Sequence, residues 1–472
     1  MTATAMPPLP SELVARIFIL CLPGEPYVKA DADSAPLLFM RVCRQWRAIA
    51  IQMPQLWCSL NDIQDSRRFL PLGMHGARLA GYAAWLSRSG NRPLSLAIPL
   101  EHEMTPRQSE EWVQFLRSYR GRFERLWVVD ERGVNLRQIL EGANMLKHVA
   151  LHSQDPYRAD ESLVLTCPLP SLRSVLFEGT DVAPATLHVT VWGSLTRLAL
   201  RLPSGGYYLA REFVDLVSRC PNLQILVFGT FIPESAEHNG HQLQPFRPHP
   251  NLRFLTVVLR YPDLLGPVSP TLMFPALLRL RVRPDFRSNW GDDSKEGEEN
   301  VVTLPSPQRF FQMEAERNED FYTFGVGWAT VTHLDVYFRA DIDVFRTVME
   351  LCPNLQVLEM SGVRCSERST SLPTRLTYPS LCELHITVNV PLGNILQKVK
   401  LPGLKILTVE AADCGEHSDF INMLLRSRCA LETLEVWDVG LHGRTYWTEG
   451  ERKDLLESLP TLTALKLDPF AY

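Results

Sequence analysis

No uncharged apolar stretch in these 472 residues approaches the roughly 18 that a membrane span needs. Excess charge of either sign is also missing. Forty-eight Lys and Arg stand against 53 Asp and Glu, a net charge of −5. Such a balance gives no general attraction to nucleic acid or to an anionic membrane, so neither is expected as a partner. The ten cysteines include no Cys-x-x-Cys pair. The signatures of a serine nucleophile elbow, a phosphate loop and a His-Glu-x-x-His zinc site are all absent, and no enzymatic activity is expected. His148 and His152 share a strand face, but four strand steps separate them by about 13 Å, too far for one ion. His238 and His241 have no further ligand nearby in sequence, so neither metal nor cofactor is expected. Met1 to Pro8 lacks the basic segment and apolar core of a secretory signal. With the cysteine usage, that points to a reducing compartment, cytoplasm or nucleus.

What is present in quantity is a repeat. An apolar residue, two free positions, an apolar residue, one free position and a third apolar residue recur thirteen times. The first positions are Phe123, Leu146, Leu172, Leu195, Leu223, Leu252, Leu277, Val331, Leu355, Leu381, Leu404, Leu431 and Leu462. Successive gaps run from 23 to 31 residues, except one of 54 that holds two units. A period of about 26 residues means one supersecondary unit stacked many times. Such an array buries a continuous core between neighbours and presents a long face, which usually binds proteins rather than performing chemistry.

The unit reads as strand plus helix. Leu198-Ala199-Leu200 and Leu407-Thr408-Val409 alternate with strand period. Upstream the period is helical: Phe213, Leu216, Val217, Cys220 and, equivalently, Phe345, Val348, Met349, Cys352 sit at i, i+3, i+4, i+7. Ile421, Leu424, Leu425 and Leu455, Leu456, Leu459 predict two more stripes. Pro221, Pro353 and Pro460 end these helices. Cys220 and Cys352 occupy the same place in two copies of Cys-Pro-Asn-Leu-Gln, 132 residues apart, which suits small packing residues rather than disulfides or ligands. The fold class expected is therefore α/β, a right-handed parallel strand–helix solenoid over 123–472. It resembles the leucine-rich repeat family in its long, degenerate form, without the regular asparagine or cysteine ladder of strict members. The acidic, glycine-containing segment 285–327 interrupts the rhythm and reads as a surface loop insertion. Two readings of it stand, a ligand-contacting or regulatory loop and a solvated excursion.

Residues 1–60 do not fit the repeat. A helix is expected from Leu9-Pro10-Ser11 to about Cys21, with Leu13, Ile17 and Leu20 in one stripe and Val14 and Phe18 widening it. A second is expected from Ala35 to Ile51, apolar on both sides, and then a proline-started turn at Pro54-Gln55-Leu56-Trp57. So small a unit closes only a small core, and its surplus apolar surface needs the first repeats or a separate protein. Residues 61–122 read as linking helices and a first strand, with Thr105-Pro106 starting a helix.

Leu9-Pro10-x-Glu12-Leu13, Val42-Cys43-Arg44-x-Trp46-Arg47 and Pro54-x-Leu56-Trp57 together resemble an F-box, in the wording of the large fungal F-box family. Ala35-Pro36-Leu37-Leu38 ahead of the second helix, and Trp85-Leu86-x-Arg88-Ser89-Gly90 with Pro93-Leu94-Ser95-Leu96 behind, extend the likeness. The resemblance implies an N-terminal three-helix F-box and a substrate receptor of a Skp–cullin–F-box ubiquitin ligase. In such a receptor the F-box docks a Skp adaptor, and through it a cullin–RING ligase, while the repeats bind a protein to be ubiquitinated. It carries the adaptor-contact role onto Leu9, Pro10, Leu13, Ile17, Val42, Cys43, Trp46, Leu56 and Trp57, some of which must face the unit's own core. The competing reading is a repeat scaffold whose F-box-like unit is only an N-terminal cap.

Strand residues that alternate with the core form the inner face. Its N-terminal half carries Arg125, Trp127, Arg197, Arg201, Arg279, Arg281 and Arg283, and its C-terminal half Asp335, Glu359, Glu383, Glu410, Glu435 and Asp468. Trp127, the arginines from Arg197 to Arg283, and Glu359, Glu383 and Glu410 are the candidate substrate contacts. Arg279, Arg281 and Arg283, spaced ~6–7 Å along one strand, suit an acidic or phosphorylated segment. Solvated strand ends are the plainer alternative.

Overall fold

Each landmark residue enters a tight turn and then a short parallel strand, as the alternation requires. The computed structural model describes residues 9–23, 27–63, 75–100, 105–130, 136–153, 167–179, 189–201, 208–232, 248–259, 274–284, 328–336, 342–363, 376–388, 399–411, 417–438 and 449–469. The expected insertion 285–327 lies outside them. The chain divides into two units, 1–206 and 207–472, so the division falls inside the repeats and the N-terminal helices belong to the first unit.

The first unit contains α1 (Ser11–Leu20), α2 (Phe39–Val42), α3 (Arg44–Ile51), a 3-10 turn (Pro54–Trp57), β1 (Ser59–Asn61), α4 (His75–Arg88), β2 (Leu94–Leu100) and α5 (Pro106–Tyr119). These are followed by β3 (Phe123–Asp130), α6 (Leu136–Leu140), β4 (His148–Ser153), β5 (Ser174–Glu178), α7 (Val189–Trp192) and β6 (Arg197–Arg201). Its strands pair in parallel in the order β1-β2-β3-β4-β5-β6. The sheet thus starts at Ser59, one strand earlier than the sequence suggests. Lys29 bridges to Asn61, and the Asn61 N–H donates to the Val28 carbonyl at 2.6 Å, so the segment between α1 and α2 closes the sheet's first edge. Asp62, at the end of β1, receives Arg78 Nε at 2.6 Å and the Tyr82 hydroxyl at 2.7 Å, which ties α4 to that edge. The expected start of α5 holds: Thr105 and Gln108 form a reciprocal capping box with Pro106 in the first turn.

The helix expected over 35–51 is broken. Cys43 is extended (φ −158°, ψ 169°) and its sulfur accepts the Trp46 N–H at 3.4 Å, starting α3 afresh. Arg47 Nε donates to the Met40 carbonyl at 2.7 Å, serving the end of α2.

The second unit holds β7 (Tyr208–Leu209), α8 (Ala210–Arg219), β8 (Ile225–Ile232), β9 (Phe254–Leu259), β10 (Arg279–Pro284), β11 (His333–Val336), α9 (Ile342–Leu351), β12 (Val357–Val363) and β13 (Leu376–Thr377). Then come β14 (Glu383–Val388), β15 (Val399–Lys400), β16 (Ile406–Ala411), α10 (His417–Ser427), β17 (Thr433–Asp438), α11 (Glu449–Ser458) and β18 (Ala464–Pro469). One strand per repeat gives the parallel order β8-β9-β10-β11-β12-β14-β16-β17-β18, with β7 beside β8 and β13 paired to β15; because β10 pairs directly with β11, the 54-residue interval expected to hold two units places no strand between them. The architecture is α/β with long parallel ladders, as a leucine-rich-repeat-like array requires.

The stripes of α8 and α9 are buried as read, Cys220 and Cys352 included. Two others each lose one expected member. In α10 the interior takes Met423 and Leu424 while Leu425 is exposed, and in α11 it takes Leu455 and Leu459 while Leu456 is exposed. Adjacent helix residues point 100° apart, so a run of leucines cannot all face one core.

A ladder exists after all, in mixed form. The residue just before the landmark donates to a carbonyl of the preceding repeat: Ser194 to Leu172 O at 2.7 Å, Asn251 to Pro221 O at 2.9 Å, Thr330 to Leu277 O at 2.9 Å. Asn354 to Ala329 O, Ser380 to Pro353 O and Thr461 to Leu431 O, each 2.8 Å, continue it. Asn, Ser and Thr are interchangeable here because each places a donor one or two bonds beyond Cβ. The missed signal is a short polar residue before the landmark, rather than one residue type.

Candidate functional site

The surface that departs most from an ordinary exterior is on the N-terminal helices. Helix α1 has two apolar sides. Val14 and Phe18 go inside, Phe18 stacking on Phe39 with centroids 4.0 Å apart and Trp46 meeting it edge-on at 5.0 Å. Leu13 and Ile17 remain 48% and 40% exposed, and Leu20 77%. Leu9, Ile19, Leu38, Val42 and Ile51 are exposed as well, so eight of the thirteen exposed large apolar residues among those described fall between positions 9 and 51. Concentration on one short segment, rather than scatter, makes this the candidate surface.

The nine residues of the F-box pattern therefore separate. Leu9, Pro10, Leu13, Ile17, Val42 and Cys43 are exposed, and Trp46 is half-buried against Phe18 and Phe39. Leu56 and Trp57 are corrected out of the contact set: both are fully buried. Trp57 Nε1 donates to the Ala50 carbonyl at 2.8 Å, Trp85 packs edge-on at 4.9 Å, and the Arg88 guanidinium covers its ring at 4.7 Å. These two close the interior between α3 and α4. Leu38, Ile19, Leu20 and Ile51 join the exposed set, and their spacing alone did not distinguish them.

The second candidate surface is the strand face turned away from the core. In the first unit Trp127 is half-buried and partly covered by Tyr27, whose ring lies 6.0 Å away; burial pushes the Tyr27 phenol upward. Arg201 at the end of β6 pairs with Glu178 at 3.1 Å, and Arg197 is exposed at its start. Burial, then Arg125, hold the His148 imidazole below its ordinary value.

In the second unit the three-arginine footprint dissolves. Arg281 is tied by an ion pair to Asp335 on the neighbouring strand, and Asp335 is nearly fully buried. The Arg283 side chain lies outside the described residues. Arg279 has no carboxylate within ion-pair reach among the described residues. Its register neighbours are Phe254 and His333. Beyond them the face is acidic. Glu359, Glu383 and Glu410 are half-exposed, Glu410 accepts from the Thr387 hydroxyl at 2.9 Å, and Glu435 receives Lys466 at 2.7 Å. The opposite charges anticipated for the two ends of the repeats thus meet within this unit, between β10 and β12.

Among the described residues no group of three or more His, Cys, Asp or Glu has the arrangement to hold a metal ion, and no helix is long and apolar enough to cross a membrane.

No family model matches this chain. No curated protein matches it. Among solved structures, a chain of the Toll–Spätzle complex of Drosophila is similar at 12% identity with a TM-score of 0.37. The alignment covers 82% of this chain and 48% of that one, so this chain spans about half the length of the neighbour. A superposition that loose carries no conclusion about function, and the reading of this protein rests on its own residues.

Proposed function

We propose that the protein is a non-catalytic receptor of a Skp–cullin–F-box ubiquitin ligase, acting in the cytoplasm or nucleus. The exposed apolar face of residues 9–51 docks the Skp adaptor, the adaptor brings the cullin–RING ligase, and the repeats hold a protein client for ubiquitination. One observation carries the reading. The N-terminal helices already own an aromatic core of Phe18 and Phe39 with Trp46 edge-on against them, yet leave Leu9, Leu13, Ile17, Leu20, Leu38 and Val42 in water. A mere cap has no use for that surplus, whereas a docking face does. The edge closure at Val28–Asn61 and the Arg78–Asp62 pair support a stiff join between hook and sheet, which suits an arm that must position a client.

A second reading, a protein-interaction scaffold with an N-terminal cap, is favoured by the burial of Leu56 and Trp57 and by β1 joining the sheet. Co-expression with a Skp adaptor and light scattering after gel filtration separates the two. A one-to-one complex is expected, and Leu13→Ser with Ile17→Ser should release the adaptor without changing the melting temperature. A chain that remains monomeric beside excess adaptor would overturn the receptor reading in favour of the scaffold.

A further inference from the structure

One row of residues crosses the outward strand face of the second unit. In register from β9 to β16 it runs Phe254, Arg279, His333, Val357, Glu383, Ile406. Phe254 is 40% exposed, although its neighbours Leu255 and Val257 are buried. Arg279 carries its charge without a paired carboxylate among the described residues. Within ion-pair reach Glu383 has the His385 imidazole, at 3.9 Å, and no Lys or Arg among the described residues. The charges of Arg279 and Glu383 both act on the His333 ring between them. Elsewhere on this face opposite charges neutralise one another across strands, as in Arg281 with Asp335 and Lys466 with Glu435. Along this row the cation and the anion are kept apart by His333 and Val357.

The separation is a measuring device. From β10 to β14 there are three strand spacings, about 14 Å at ~4.8 Å each. An extended peptide presents side chains to one side every second residue, and four residues span ~13–14 Å. A helix would cover only about 6 Å in four residues and does not match.

We infer that this row binds an extended peptide segment laid across the strands, with an Asp or Glu over Arg279, a Lys or Arg four positions along over Glu383, and an apolar side chain beside Phe254. Charge complementarity at fixed spacing selects the occupant, and the apolar contact adds to it. This names the client chemistry of the repeats. It rests on the reading that they capture a protein, and it is independent of the adaptor.

Panning a phage-displayed random octapeptide library on the full-length chain, without adaptor, tests it. Enriched peptides should pair an acid with a base four residues apart, in either chain direction. Arg279→Glu should convert the enriched pair to two bases at that spacing, and Glu383→Lys should convert it to two acids. Arg279→Gln should erase only the acid preference, each variant being checked for an unchanged melting curve. No enrichment, a pair at another spacing, or a pattern indifferent to these variants would overturn the proposal. Adaptor capture, measured separately, would be untouched by any of those results.

Discussion

Ile17 and Phe18 are chain neighbours with opposite fates: Phe18 is fully buried against Phe39, while Ile17 stays 40% exposed. The contrast makes stability and docking separable. Phe18→Ala should destabilise the first unit by about 3–4 kcal/mol, since it opens a cavity among rings. Ile17→Ser should leave stability within about 0.5 kcal/mol, as surface changes usually do. Urea unfolding followed by tryptophan fluorescence measures both.

Gly403 lies in the turn before β16, where a Cβ would collide with the Pro379 carbonyl oxygen of the preceding repeat. This close approach takes the place of the polar rung found at other repeats. Gly403→Ala is expected to cost about 1–3 kcal/mol, because backbone on both sides must shift. A lowered urea midpoint with an unchanged slope is the expected signature.

Arg281 and Asp335 should respond unequally to substitution. Arg281→Met removes the ion-pair cation of a nearly buried carboxylate and should destabilise by about 2 kcal/mol or more. Asp335→Asn removes the buried charge and leaves a half-exposed arginine that water can serve, so the loss should be smaller. Thermal melting of the two variants side by side tests the order.

Burial pushes the Cys220 and Cys352 thiols up to about 12, whereas Cys21 and Cys43 are exposed. At pH 8 iodoacetamide should modify Cys21 and Cys43 in the native protein and spare Cys220 and Cys352 until denaturant is added. Peptide-resolved mass spectrometry reads each site.

Acid should weaken the fold before its carboxylates titrate. Partial burial, with Arg125 near His148 and Arg279 near His333, holds both imidazoles below the ordinary 6.5. As pH falls through 6.5 the unfolded chain takes up protons that the folded chain resists, so stability is full above that value and declines below it. The effect is modest because both rings are partly solvated. The urea midpoint should fall between pH 7 and 5.5, and fall less in His148→Gln with His333→Gln.

The period of about 26, the strand cores and the stripes of α8 and α9 were legible because they follow from chain geometry: alternate residues of a strand and every third or fourth of a helix share a side whatever lies around them. The Thr105 cap, the paired Cys-Pro-Asn-Leu-Gln turns and the presence of surplus apolar surface near the N-terminus were legible for the same reason. The ladder was not, because it is defined by donor reach and not by residue type.

Sequence alone determined that the chain is an array of strand–helix units with an apolar N-terminal segment, since those are properties of spacing along the backbone. Long-range packing settles that Phe18 rather than Ile17 turns inward, that Trp57 is sealed beneath Trp85 and Arg88, and that Arg281 pairs with Asp335 while Arg279 does not. Each of those outcomes depends on a residue tens of positions away arriving at a given distance, and local periodicity does not encode which neighbour will arrive.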